Sequence, residues 1–209
     1  HYVETRLDNK KPGFKLECPP LQPMLMATAL DGHGKIHAEI MKQRPNLQVL
    51  IALQRDGFHP ESTGGQVYLK SDGTPGLDYQ VSHYIWEGIR DAFLAMAEIQ
   101  FAAGAKMVAP LHRDAGIYGS IKEVKQVISE LPMEILKARL FSAHLMGGCA
   151  MGEDSAKSVV NSNGLHHEVG NLSVFDGSVF PTSIAANPME SIFATTAKFA
   201  TDLAKGMVN

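Results

Sequence analysis

The chain has 209 residues, 44% apolar and 20% charged, with a net charge of −3 and two cysteines. That length suits one large domain or two small ones and buries about 70% of the unfolded surface, and the composition excludes general disorder. The charge balance argues against a nucleic-acid partner, and the distant thiols Cys18 and Cys149 exclude a disulfide-built scaffold or a four-cysteine zinc module.

In chain order, residues 10–23 carry Pro12, Pro19, Pro20 and Pro23 and read as extended or looping. A short helix is expected near 35–43 and a buried strand over 48–53. Gly64-Gly65 breaks the chain. Residues 66–70 and 77–81 alternate polar and apolar, as half-buried strands do, around Ser71-Asp72-Gly73. They predict an antiparallel hairpin with a loop longer than two residues. Residues 84–103 give the strongest helical period, with Ile85, Ile89, Phe93, Met96 and Ala103 near one face. A second helical region spans 121–139, interrupted at Pro132. Residues 172–175 predict a short strand. A last helix is expected over 188–205, with Ile192, Thr196, Phe199 and Leu203 as its inner stripe. Helices and strands without a βαβ rhythm indicate an α+β chain.

No apolar run reaches the ~18–20 residues that span a bilayer. Residues 1–8 are mixed and polar, unlike a secretion leader. A cytoplasmic chain is the expectation. The chain begins without methionine and reads as a piece of a longer polypeptide.

Dinucleotide, P-loop, nucleophile-elbow and zinc-protease fingerprints are absent. The chemistry concentrates in 144–204. This span opens His144-Leu145-Met146-Gly147-Gly148-Cys149-Ala150-Met151-Gly152 and passes Val159-Val160-Asn161. It continues Asn171-Leu172-Ser173-Val174-Phe175-Asp176-Gly177-Ser178-Val179-Phe180-Pro181 and ends on Asn187-Pro188 before the last helix. The ordered series resembles the C-terminal signature of the glucose–methanol–choline (GMC) flavin oxidoreductases. Residues 65–79 also resemble that family's substrate-domain hairpin. The pattern departs at Leu145, where many members have proline, and at Gly148, where many have threonine.

The resemblance implies an antiparallel sheet backed by helices as substrate domain over residues 1–143. It implies a segment over 144–209 that returns to complete a Rossmann-type FAD domain, whose N-terminal half is absent from the chain. It places His144 and Asn187 over the flavin ring, His144 as general base and Asn187 as orienting partner. The residue types suit the chemistry: an alcohol gives up hydride as its hydroxyl proton leaves, imidazole accepts protons near neutral pH, and a carboxamide orients a hydroxyl without adding charge. By the same resemblance Pro188 and Met189 bring a helix N-terminus to the flavin's pyrimidine edge, and Asp176 and Gly177 lie beside the cofactor. Asp176-Gly177-Ser178 reads equally as a turn after a strand. Asn187-Pro188-Met189-Glu190 reads equally as a helix start, with Asn187 as N-cap and Pro188 as first helical residue.

The function read here is thus the C-terminal part of an FAD-dependent alcohol oxidoreductase, with a small-molecule alcohol of unspecified kind as substrate and the missing N-terminal half as partner. Alone, the chain is expected to hold FAD weakly or not at all, to be inactive and to self-associate through apolar surface the cut exposes. The alternative is a non-catalytic binding module on the same scaffold. A third reading is a metal enzyme using His112, Asp114, His166 and His167. Neighbouring histidines on a strand point to opposite faces and no pair has zinc spacing, so metal is not expected. The sequon Asn171-Leu172-Ser173 is discounted without a secretion leader, and Trp86 has no assigned role.

Overall fold

A computed structural model describes residues 2–4, 10–184 and 186–208. Two compact units are present: His1–Gln54 with Val81–Phe141, and Arg55–Gln80 with Ser142–Asn209. The hairpin segment therefore groups with the C-terminal residues rather than with those around it in sequence.

In the first unit, β1 (Tyr2–Glu4), β2 (Phe14–Glu17) and β3 (Ile51–Gln54) form an antiparallel sheet with β2 in the middle. Phe14 pairs with Gln54 and Leu16 with Ala52. Strand alternation sends Phe14 and Leu16 to one face, where they are buried against Ala92. Lys15 and Glu17 alternate with them and form an ion pair at 2.7 Å. A strand thus lies inside the proline-rich stretch expected to be extended or looping. β3 starts later than expected and is half-buried rather than buried.

Two helices follow β2: α1 (Pro23–Ala29), not expected from the sequence, and α2 (Gly34–Lys42), at its expected place. α1 is seven residues long and buries only Met26, so its apolar signal is too brief to stand out. His37 Nε2 lies 2.8 Å from the Ala27 carbonyl oxygen and links the pair.

α3 (His83–Ala102) buries Ile85 and Ile89 of the expected stripe and half-buries Phe93 and Met96, but it ends before Ala103, which is exposed. Ser82 caps it by accepting from the Ile85 N–H at 3.4 Å. Gly88 has no left-handed backbone. A Cβ there would lie 2.1 Å from Pro12 Cγ, so the missing side chain is what admits the proline ring. Ala97 packs with Val108 and with Val124 and Ile128 of α4 (Ile121–Glu130). Ser120 accepts from the Glu123 N–H at 3.2 Å, as in the first half of a capping box. α4 stops before Pro132, because the residue preceding a proline disfavours helical geometry. The expected continuation to 139 is absent: residues 134–137 form a turn. Arg90 closes α4 from outside by donating to the carbonyls of Ile128 and Leu131, the latter at 3.0 Å.

In the second unit, β4 (Gly65–Leu69) and β5 (Pro75–Tyr79) form the expected hairpin, with Val67 opposite Leu77 and Gly65 opposite Tyr79. Alternation gathers Val67, Leu69, Leu77 and Tyr79 on one face. The half-buried expectation fails there: Val67, Leu69 and Leu77 are 69–77% exposed, and no described residue covers them. On the other face the Tyr68 ring lies over Gly76, and a Cβ on Gly76 would come 2.4 Å from it.

The rest of this unit is irregular chain around one long helix. The expected strand over 172–175 is reduced to a single bridge between Leu165 and Ser173. Val160, Val179 and Phe199 form the buried core. Phe199 sits on α5 (Met189–Val208), whose inner stripe is the expected one. The helix starts one residue late. The Pro188 carbonyl accepts from the Ile192 N–H at 2.8 Å, so Pro188 holds the cap position rather than the first helical one.

Candidate active site

The site residues read from the sequence lie on three stretches of the second unit: the loop from His144, the turn at Asp176 and the start of α5. The loop from His144 is fixed from its far end. Cys149 N–H donates to the Ser178 carbonyl at 3.0 Å and Met151 N–H to the Val179 carbonyl at 2.8 Å. Gly147 adopts φ 86°, a left-handed geometry that favours glycine, and turns the loop beside the Pro181 carbonyl. These bonds hold the glycine-rich stretch against the turn and leave His144 exposed at its start. The His144 ring has no hydrogen-bond or ion-pair partner among the described residues.

The turn is the 3₁₀ segment Gly177–Val179. Asp176 caps it, its Oδ1 accepting from the Ser178 N–H at 2.7 Å, and that bond holds the carboxyl below its ordinary range. The local reading of Asp176 as a turn-former is therefore present in the structure. Its role toward a cofactor rests on the resemblance.

Gly177 stands between the other two stretches. A Cβ built on it would lie 3.2 Å from the Leu145 carbonyl oxygen and 3.1 Å from Ile192 Cδ1. The peptide next to His144 and the first turn of α5 thus meet on this residue. α5 is tied to the segment before the turn a second time, through Thr196 Oγ1 donating to the Phe175 carbonyl at 2.9 Å. At the helix start, Pro188 is buried and Met189 is 61% exposed. Asn187, one residue earlier, is exposed and engaged by a neighbour. The resemblance sets Gly177 beside a cofactor; its packing role is a second one. That role depends on Leu145 and Ile192, whose approach no local pattern signals.

The histidines of the metal reading have other work. His112 is buried, with Nε2 2.8 Å from the Pro132 carbonyl oxygen and Nδ1 accepting from the Asp114 N–H at 3.1 Å. Asp114 pairs with Lys137 at 2.8 Å, which holds its carboxyl below the usual range. His166 Nδ1 accepts from the N–H groups of Glu168 and Val169. His167 Nε2 lies 2.9 Å from Ser158 Oγ and 3.1 Å from the Gly152 carbonyl oxygen. Among the described residues no cluster of three or more His, Cys, Asp or Glu is placed to hold a metal ion, and no helix is long and apolar enough to cross a membrane.

Residues 60–196 match the model of the GMC oxidoreductase family. Similar proteins include long-chain-alcohol oxidase FAO4A of Arabidopsis thaliana, 30% identical over 58% of this chain and 18% of its own length. Long-chain-alcohol oxidase FAO1 of the same plant is 26% identical over 93% of the chain and 26% of its own length. The uncharacterised GMC-type oxidoreductase y4nJ of Sinorhizobium fredii is 27% identical over 68% and 28%. The chain spans between a sixth and a third of the length of these relatives. Matching over well more than half its length, the chain belongs to the GMC oxidoreductases and corresponds to their C-terminal portion.

Proposed function

We propose that the chain is the C-terminal part of an FAD-dependent oxidoreductase that oxidises the CH–OH group of an alcohol. The observation that carries this reading is the exposed, unpartnered His144 ring on a loop packed, through Gly177, against the first turn of α5. The donor set suits a flavin ring. It offers an imidazole open to solvent and the start of a 20-residue helix, whose first N–H groups carry partial positive charge. FAD, when bound, supplies the hydride acceptor.

The chain's own residues do the rest. His144 takes the hydroxyl proton on an unprotonated ring nitrogen as the carbinol C–H bond is broken. The Asn187 carboxamide orients the alcohol oxygen and shares the charge that grows on it. Pro188 and Met189 would present the positive end of α5 to the flavin, where it would stabilise negative charge. Asp176 and Gly177 would also contact the cofactor. The N-terminal half of the longer protein supplies the remaining cofactor contacts, so the isolated chain binds FAD weakly. Because two relatives are named long-chain-alcohol oxidases, long-chain alcohols head the substrate screen.

The test is anaerobic flavin reduction by a panel of alcohols in the full-length protein, wild type against His144→Ala. A loss of about 10²–10⁴-fold in the reduction rate is expected for removal of a general base. An unchanged rate would refute the assignment.

A further inference from the structure

We propose that Gly177 is a positioning residue that sets the place of the His144 imidazole relative to the start of α5. The inference rests on the function proposed above and deepens it. Gly177 does not adopt the left-handed backbone that makes glycine necessary at Gly147 or Gly164. Its backbone would accept any residue, so the demand for glycine comes from its neighbours. A Cβ on residue 177 would meet two neighbours at once, the Leu145 carbonyl oxygen at 3.2 Å and Ile192 Cδ1 at 3.1 Å. Both are tighter than ordinary van der Waals contact, so an added methyl moves one of them by a few tenths of an ångström.

The two neighbours do not yield alike. Ile192 Cδ1 ends a side chain that is itself packed on the half-buried inner stripe of α5. Leu145 offers a backbone atom, one peptide from His144, on a loop held downstream by the Cys149 and Met151 bonds. No described residue bonds the His144 ring, so the loop alone sets its position. A push on the Leu145 carbonyl therefore passes to His144. Misplacement of a catalytic group by about 1 Å costs ~10²-fold in rate, so a few tenths cost roughly threefold to tenfold.

The experiment compares wild type, Gly177→Ala, Ile192→Val and the double variant in the full-length protein. Two signals are read: the limiting rate of flavin reduction by alcohol, and the His144 ring resonance in histidine-labelled protein, with His166 and His167 as internal controls. Gly177→Ala is expected to slow reduction roughly fivefold at unchanged flavin content and nearly unchanged KM. It should shift the His144 resonance and leave the controls in place. Ile192→Val removes the Cδ1 methyl that crowds position 177. In the double variant the methyl added at position 177 can then retreat from Leu145, and both signals are restored. Unchanged signals in Gly177→Ala overturn the proposal, as does failure of Ile192→Val to restore them. Loss of bound flavin with the His144 resonance unmoved also overturns it, assigning Gly177 to cofactor contact alone. Should the wild-type protein reduce no flavin with any alcohol, the proposed function falls, while the resonance arm still decides the positioning role.

Discussion

Phe199→Ala tests what anchors α5, and through it the start of the helix at the candidate site. Phe199 is 3% exposed and is the aromatic member of a core whose other fully buried members are Val160 and Val179. Its ring lies 5.5 Å from the Phe175 ring at an interplanar angle of 50°. Its Cδ2 would stand 2.6 Å from a Cβ on Gly164. Gly164 is left-handed at φ 76°, so its backbone is held by a turn and does not follow the ring when it is removed. The hole stays open, and the full cost of a buried Phe→Ala truncation applies, about 4 kcal/mol. For a chain of this size, each kcal/mol moves Tm by roughly 2–4 °C, so a fall of about 8–16 °C is expected. Phe193→Ala on the same helix is the control. Phe193 is 65% exposed, and its truncation should stay within about 0.5 kcal/mol. Hydrogen exchange adds location: α5 amides should lose protection in Phe199→Ala while α3 amides keep theirs. Equal Tm shifts in the two variants would refute the reasoning, because burial at the Val160–Val179 core would then not be what holds the helix.

Arg90→Ala leaves the Ile128 and Leu131 carbonyls without their guanidinium donor. It should cost about 2 kcal/mol, since hydrogen bonds from charged groups exceed neutral ones, with exchange accelerating first in the last turn of α4. Asp176 gives a pH dependence. Its folded carboxyl lies below its ordinary range because it accepts the Ser178 N–H, so its stabilising effect is complete above the unfolded carboxylate pKa and fades as pH falls through the lower folded value. Asp176→Ala should therefore lower Tm near neutral pH, and the gap from wild type should narrow in acid, below about pH 4. A gap that widened in acid would contradict that linkage. With the flavin-reduction test of His144→Ala and the Gly177–Ile192 cycle, these measurements separate stability from chemistry.

The long helices were legible because their burial repeats over many turns. α3 and the inner stripe of α5 each present an apolar face long enough for the period to emerge, and Pro132 marks the end of α4 by a local steric rule. α1 and β2 were not, because segments of seven and four residues hold too few repeats for a period to emerge. The segment 172–175 has strand-forming residues, yet its hydrogen bonds go to a turn and a single bridge. The hairpin's pairing followed from alternation, whereas its exposure did not. Alternation says which residues share a face, not whether anything covers that face. At the site, His144 and Asn187 came from an ordered motif. The steric part of Gly177 came from two approaches, by Leu145 and Ile192, that only folding brings about.

The β4–β5 ribbon has practical consequences for anyone handling this polypeptide. Val67, Leu69, Leu77 and Tyr79 form a greasy strip on one side, and each strand keeps an outer edge that no described strand occupies. Open edges template further pairing and apolar strips stack. Kept concentrated by itself, the material should cloud with time. Val67→Lys should hold it clear by charging the middle of the strip, while leaving Phe199 and the rest of its core untouched.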